Sequence, residues 1–307
     1  MIKLFFHRQY LGNWCSELVL LYSNLIQDQN LIIRDDRFSS LKDNTYVSYA
    51  SRIEDCDYVV LPFKWCEFDT RTKLILEDCK RHNKKLLAFF NDDSDHKINL
   101  NKEDGFLFRT SFHKSSKKDN ELALPAFSDD CFSGKYISPE DITLSVGFVG
   151  LAHFQRRLCL DIISSNNSIL SDFIIRQSFW GKDEVSAATA VSDFNSNVER
   201  NLFGFTCRGT GNFSYRFYQI LSMGRIPLLL NTDCVLPYDE LMDYKKHCVI
   251  VDERDILNID SILEEFFNSK TKTELYEIQL SNRKLYKERL SPLGFVKNIK
   301  ELLNGHL

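Results

Sequence analysis

The chain has 307 residues, 43% of them hydrophobic, with a net charge of −4 and a pI of about 6.0. That length suits two domains of ordinary size, each with a full core. The slightly acidic balance argues against a nucleic-acid binder, which would show a basic face, and no run approaches the ~18 apolar residues of a membrane span.

The opening, MIKLFFHRQY, meets charge at Lys3, His7 and Arg8 and is too short and polar for a signal peptide. The nine cysteines include no CxxC pair, so zinc-ligand spacing is absent and reduced, mostly buried thiols are expected. A soluble cytoplasmic protein with at most peripheral membrane contact follows as the expectation.

Strand-like and helix-like segments then alternate. IKLFF (2–6) predicts a strand and 14–27 an amphipathic helix. DYVVLPF (57–63) predicts a buried strand ending at Pro62, 69–82 a helix, and KKLLAFF (84–90) a strand running into the acidic loop NDDSD (91–95). FLFRTSF (106–112) alternates and suggests one more strand. Residues 113–142 are polar, and the domain boundary is placed near 135–142, giving domains 1–138 and 139–307.

The rhythm restarts with TLSVGFVG (143–150), a helix over 156–165, DFIIRQ (172–177), a helix over 185–200 and LFGFTC (202–207). A helix over 214–223, a strand over 226–230, a short helix near 238–243 and CVIVD (248–252) follow. The tail from about 260 is charged and helical, with breaks near Lys270 and at Pro292, and could pack back on the first domain. Strands separated by helices predict α/β domains with mostly parallel sheets, whose ligands bind beyond the carboxyl ends of the strands.

The stretch CRGTGNFSYRFYQILSMGRIPLLLNTD, from Cys207 to Asp233, reads as strand, glycine-rich turn, helix and strand. Glycines in the turn permit positive φ and close approach to a ligand, and Ser214 stands where a helix N-cap is wanted. Phe217, Ile220, Leu221 and Gly224 fall on one face. The helix N-terminus, flanked by Arg208 and Arg216, is an anion site suited to a diphosphate. An ordinary turn with solvated arginines is the plainer alternative, because RGTG is neither a P-loop nor GxGxxG. The sequon Asn212-Phe213-Ser214 lies in this turn, which fits a compartment without N-glycosylation.

These residues resemble the C-terminal half of the exostosin family of glycosyltransferases. The resemblance rests on Cys207-Arg208-Gly209, on Gly211 followed by Ser214-Tyr215-Arg216, on Gly224-Arg225-Ile226-Pro227-Leu228 and on Leu236-Pro237-Tyr238. It continues through Val249 to Asp255, covers about 145–256 strongly, and is faint at DCDYVVLPF (55–63). It implies a GT-B fold: two Rossmann-like domains with a cleft between them, donor in the second and acceptor in the first. It also implies inverting transfer from a nucleotide sugar, usually UDP-linked, to a glycan. Family members of eukaryotes are typically membrane-anchored, and the anchor missing here is a departure that fits an enzyme of surface polysaccharide synthesis better. One departure is Gln219, where the family commonly has Glu, which leaves the donor sugar and base open.

The donor-binding set is then Arg156, Arg208, Gly209, Thr210, Gly211, Asn212, Phe213, Ser214, Tyr215, Arg216 and Gln219, with Lys182 a weaker candidate. No metal or other cofactor is expected, because basic side chains and the helix N-terminus can hold the leaving diphosphate. For Arg156 or Arg157 a solvated helix face is the alternative. The general base is sought in Asp93 and His7, with Asp92, Asp95, Glu17 and His153 behind them. Each of these has a plainer structural or exposed role. NDDSD invites a metal reading, yet the diphosphate turn lies in the other domain, so a solvated acidic loop is the better reading. Tyr10, Trp14, Phe63, Trp65 and Trp180 could stack on sugars, although aromatics lie more often in cores.

Two rivals remain. A fucosyltransferase-like enzyme using GDP-fucose would usually carry Glu-Lys at the helix start, where this chain has Ser214-Tyr215-Arg216. A non-catalytic nucleotide-sugar-binding scaffold partner is kept open by Gln219. A dehydrogenase is disfavoured by the missing GxGxxG with its following acid.

Overall fold

The computed structural model describes residues 1–11, 36–41, 45–177 and 184–305. The helix expected over 14–27, with Trp14 and Glu17, lies outside the described residues, as do Trp180 and Lys182.

The first sheet has β1 (Ile2–Phe5), β2 (Val47–Tyr49), β3 (Tyr58–Lys64), β4 (Lys85–Phe90), β5 (Gly105–Arg109) and β6 (Glu121–Ala123). Their order is β2-β1-β3-β4-β5-β6, all parallel. The second has β7 (Ser145–Gly150), β8 (Leu170–Ile175), β9 (Phe203–Cys207), β10 (Ile226–Asn231) and β11 (Val249–Asp252), ordered β11-β10-β9-β7-β8 and again parallel. This is the α/β arrangement of two Rossmann-like sheets that the sequence led us to expect. The helices are α1 (Thr70–Arg81), α2 (Gln155–Ser165), α3 (Glu184–Arg200), α4 (Tyr215–Ser222), α5 (Ile259–Asn268), α6 (Lys272–Leu285) and α7 (Pro292–Asn304). A π-helical turn, Tyr286–Leu290, joins the last two. Among the described residues no helix is long and apolar enough to cross a membrane.

Parallel strands covered on both faces read as continuous apolar runs, and β4, β5, β7 and β9 do so here. Several local expectations change. β3 continues through Pro62 to Lys64, and its register against β4 shifts between Val60 and Lys64, which accommodates the missing N–H. The alternation in FLFRTSF marks no solvent face, because Arg109 is buried and its Nη1 donates to Glu121 Oε1 at 2.9 Å. The helix expected near 238–243 is replaced by turns and a 3-10 helix, Tyr244–Lys246. Tyr238 takes φ 62, which interrupts a helix, and the Tyr244 hydroxyl donates to the Pro237 carbonyl at 2.7 Å. Within the polar segment 113–142, Leu122, Leu124, Ala126 and Phe127 are core residues. The short strands β2 and β6 were not read from sequence.

The largest apolar cluster joins three parts of the chain. It holds Leu4, Val60, Leu87 and Phe108 of the first sheet, Phe217 and Leu221 of α4, and Phe295, Ile299 and Leu303 of α7. The last helix thus packs on the first sheet, with the Phe295 ring edge-on to Phe108 and to Phe127, centroids 5.6 Å apart in each case.

Candidate active site

In both sheets the strand order reverses beside the first strand. The ligand crevice of such a sheet opens at that switch point, beyond the carboxyl ends. In the second sheet it falls between β7 and β9. Gly150 ends β7 and Cys207 ends β9, so the loop after Gly150 and the glycine-rich turn stand side by side.

Two guanidinium groups lie beneath this edge. Arg216, in the first turn of α4, donates from Nε and Nη2 to the Val149 carbonyl at 3.0 and 2.7 Å. Gly150 has φ +146, and a Cβ there would stand 2.0 Å from Arg216 Nη2. The glycine therefore makes room for the arginine. Arg156, in the first turn of α2, is 8% exposed and donates to Cys207 Sγ (3.3 Å), the Leu151 carbonyl (2.7 Å) and the Arg208 carbonyl (2.8 Å). Both lie over the Phe148 ring, at 5.8 Å for Arg156 and 5.1 Å for Arg216. Neither pairs with a carboxylate among the described residues. Burial, with Arg156 adding, lowers the Arg216 pKa to about 10, so Arg216 remains a cation at neutral pH. Among the described residues these two adjacent guanidinium groups face carbonyls, a thiol and a ring and no carboxylate, and so form an unneutralised cradle for an anion. Arg157, by contrast, lies on the exposed face and pairs with Asp161.

The turn itself is divided. Neither Gly209 nor Gly211 takes positive φ. A Cβ on Gly211 would meet the Asp93 carbonyl oxygen at 2.7 Å, so the close approach is to the first lobe's backbone and not to a ligand. Asn212 is likewise committed to the first lobe. Its N–H donates to Ser111 Oγ (2.8 Å), its Nδ2 to the Phe112 carbonyl (3.1 Å), and its Oδ1 accepts from the Thr232 hydroxyl (2.7 Å). At 1% exposure it has the role of an inter-lobe pin, a correction to the donor-binding reading. Ser214 occupies the N-cap position of α4, yet its side chain makes no capping hydrogen bond. Gly209, Thr210 and Tyr215 are exposed, and Phe213 is half-buried edge-on to Tyr215. The Gln219 side chain on α4 has no partner among the described residues.

Arg208 reaches across the lobes to Asp95, Nη2 to Oδ2 at 3.4 Å, and also donates to the Thr210 carbonyl. The same carboxylate lies 3.1 Å from His113 Nε2. The His113 contact and then Arg208 hold Asp95 below the usual carboxylate range against its desolvation. Asp92 pairs with Lys64 at 2.6 Å. The acidic loop is thus tied to basic groups, and among the described residues no cluster of three metal-ligating side chains forms.

Of the two base candidates, Asp93 lies against the glycine-rich turn, with its exposed carboxylate free of partners among the described residues. His7 follows β1, at the switch point of the first sheet. Its Nε2 is 3.2 Å from Asp78 Oδ2 on α1, without hydrogen-bond alignment, and its ring packs against Phe5 and Tyr10. Burial lowers the His7 pKa and the Asp78 charge opposes, leaving a neutral imidazole at pH 7. His153 is exposed. Trp65 and Phe63 are core residues at 4% and 7% exposure, so they offer no sugar platform.

Sequence reasoning missed His113, Ser111 and Phe148. His113 and Ser111 sit in or beside a polar segment and gain meaning only from the opposite lobe. Phe148 looked like any strand phenylalanine.

No protein-family model matches the chain. An exostosin-1 homolog of Caenorhabditis elegans is 24% identical over 106 residues, 34% of this chain and 27% of that protein. Drosophila melanogaster exostosin-1 is 32% identical over 71 residues, 23% of this chain and 9% of that protein. The chain therefore matches about a quarter or less of the length of these curated relatives. This supports the likeness to exostosins.

Among solved structures, Anabaena HepE in complex with UDP aligns with TM-score 0.48 at 10% identity, over 99% of this chain and 100% of that one. A Rickettsia africae glycosyltransferase aligns with TM-score 0.47 at 8% identity, over 99% and 98%. Staphylococcus aureus TarM, solved with fondaparinux, α-GlcNAc-glycerol and UDP, aligns with TM-score 0.42 at 11% identity, over 88% and 54%.

Proposed function

We propose that this chain is a glycosyltransferase that moves a sugar from a UDP-linked donor to a glycan acceptor with inversion, without a metal, on the cytoplasmic side of surface polysaccharide synthesis. The observation that carries the reading is the unneutralised pair Arg156 and Arg216 at the switch-point edge, beside the N-terminus of α4. The likeness to exostosins supports the reaction class. The UDP in the HepE structure is a property of that protein and here only suggests which nucleotides to try first.

In this scheme the donor diphosphate lies over Arg216, with Arg208 swinging from Asp95 to meet it. An acceptor hydroxyl oxygen attacks the anomeric carbon from the face opposite the diphosphate, and the carbon–oxygen bond to phosphate breaks. The electron pair leaves on the diphosphate, whose new charge is held by the guanidinium groups and the helix N-terminus. The hydroxyl proton passes to a general base. Asp93 is the first candidate because it lies against the turn; His7 is the second because it is neutral and placed beside Asp78. Gln219 would bind a donor hydroxyl as a neutral partner.

Calorimetric titration with UDP, GDP, CDP and CMP, with and without Mg²⁺ or EDTA, tests the reading. Selective UDP binding, indifferent to the metal and lost by about 100-fold in Arg216→Ala, is the expected result, since a charge-assisted bidentate contact is worth a few kcal/mol. GDP selectivity would move the reading to the fucosyltransferase-like alternative. Binding of UDP with neither hydrolysis of a UDP-sugar nor transfer from it would leave the scaffold reading, and no nucleotide binding at all would overturn the site.

A further inference from the structure

Phe154 is the most exposed large hydrophobic side chain among the described residues, at 93%. It stands at the N-cap of α2 with φ 45 and ψ −119. The Arg156 N–H donates to the His153 carbonyl at 3.1 Å, so His153 to Arg156 is a hydrogen-bonded turn. Phe154 fills its second position with type II′ dihedrals, a place ordinarily taken by glycine. An aromatic residue there combines backbone strain with full solvent exposure, and neither is offset by packing.

The surrounding loop is firmly held. Arg156 binds the Leu151 carbonyl on one side of the turn and the Arg208 carbonyl on the other, and Gly150 abuts Arg216. The backbone that carries Phe154 is therefore held just beyond the carboxyl end of β7, two residues before Arg156. Strain that persists in a rigid loop beside a ligand crevice points to a role in binding.

We propose that Phe154 stacks on the apolar C–H face of a pyranose ring in the crevice, a binding contact that rests on the nucleotide-sugar reading above. The negative face of the ring attracts the polarised C–H groups of a sugar, and a phenylalanine has only two side-chain torsions to immobilise. The sugar is either the one transferred or the acceptor's, and the two are separable by experiment.

The test compares the wild-type chain with Phe154→Gly and Phe154→Trp. Glycine suits the turn dihedrals, so the Phe154→Gly chain should melt at the same temperature or higher, which separates loss of binding from loss of fold. Calorimetry with UDP, UDP-glucose and UDP-N-acetylglucosamine reads the donor side. Saturation-transfer NMR with cellotriose and chitotriose reads the acceptor side. In Phe154→Gly, UDP affinity should stay within about twofold. Either UDP-sugar affinity or oligosaccharide affinity should fall by about 3- to 10-fold and return in Phe154→Trp. Equal weakening of UDP and UDP-sugars would assign the ring to the nucleobase and overturn the proposal. So would unchanged affinity for every ligand. A wild-type chain that binds oligosaccharide through Phe154 but no nucleotide would sink the transferase reading alone, and one that binds neither would sink both.

Discussion

Gly150 has no side chain because Arg216 Nη2 occupies the space where a Cβ would stand, 2.0 Å away. Gly150→Ala is expected to destabilise the fold by about 1–3 kcal/mol, through positive φ and displacement of the guanidinium, and to weaken UDP binding in parallel. Urea denaturation and calorimetry on one preparation check both effects. His7 makes a different prediction. Its folded pKa lies below the ordinary 6.5, so as pH falls through about 6.5 the unfolded chain takes up a proton that the folded chain resists. Stability should therefore drop from about pH 6.5 down through the lowered folded value. His7→Gln should flatten that slope in denaturation midpoints taken at stepped pH.

At the scale of the element, the stretch from β9 to β10 uses its three arginines for three purposes. Arg208 faces the other lobe, Arg216 supports the crevice edge, and Arg225 is structural. Arg225 is 2% exposed, and its guanidinium serves the carbonyls of Lys135, Met223 and Glu199 and the Gln279 side chain. Burial lowers its pKa to about 10, still far above neutrality. Arg225→Ala would strand several buried acceptors and should cost about 3 kcal/mol or more, with no rescue by Lys, whose point charge cannot span them. A urea midpoint for each variant decides this. The apolar face of α4 was legible from its spacing of Phe217, Ile220 and Leu221, because a 3.6-residue period is a local property. The helix expected near 238–243 failed because Tyr238 adopts a left-handed conformation that no periodicity announces.

At the scale of the whole molecule, α7 belongs to the core of the first sheet although it comes last in the chain. Phe295 is 1% exposed between Phe108 and Phe127. Phe295→Ala should cost about 3–5 kcal/mol, and the loss should appear in one shared transition, since the same cluster includes Phe217 and Leu221 of the second lobe. Separate unfolding steps, read by fluorescence and circular dichroism together, would contradict a shared core. The lobes are also strapped by polar contacts: Ser115 Oγ donates to Asp233 Oδ2 at 2.6 Å, and Lys114 pairs with Asp239 at 3.0 Å.

The sequence by itself determined the two parallel sheets, most element positions and the strand–turn–helix at Cys207 to Ser222, because apolar runs, periodicity and glycine placement act over a few residues. Only the tertiary structure decided what the turn's polar residues do. Asn212 and Gly211 look like ligand contacts in sequence, yet their partners, Ser111 and Asp93, lie more than 100 residues away and meet them only where the two lobes pack together. Arg156 and Arg157 are indistinguishable neighbours along the chain, and one helical step sends the first over the Phe148 ring and the second into solvent. Which charges remain unpaired, and so available to an anion, depends on long-range packing that no local pattern encodes.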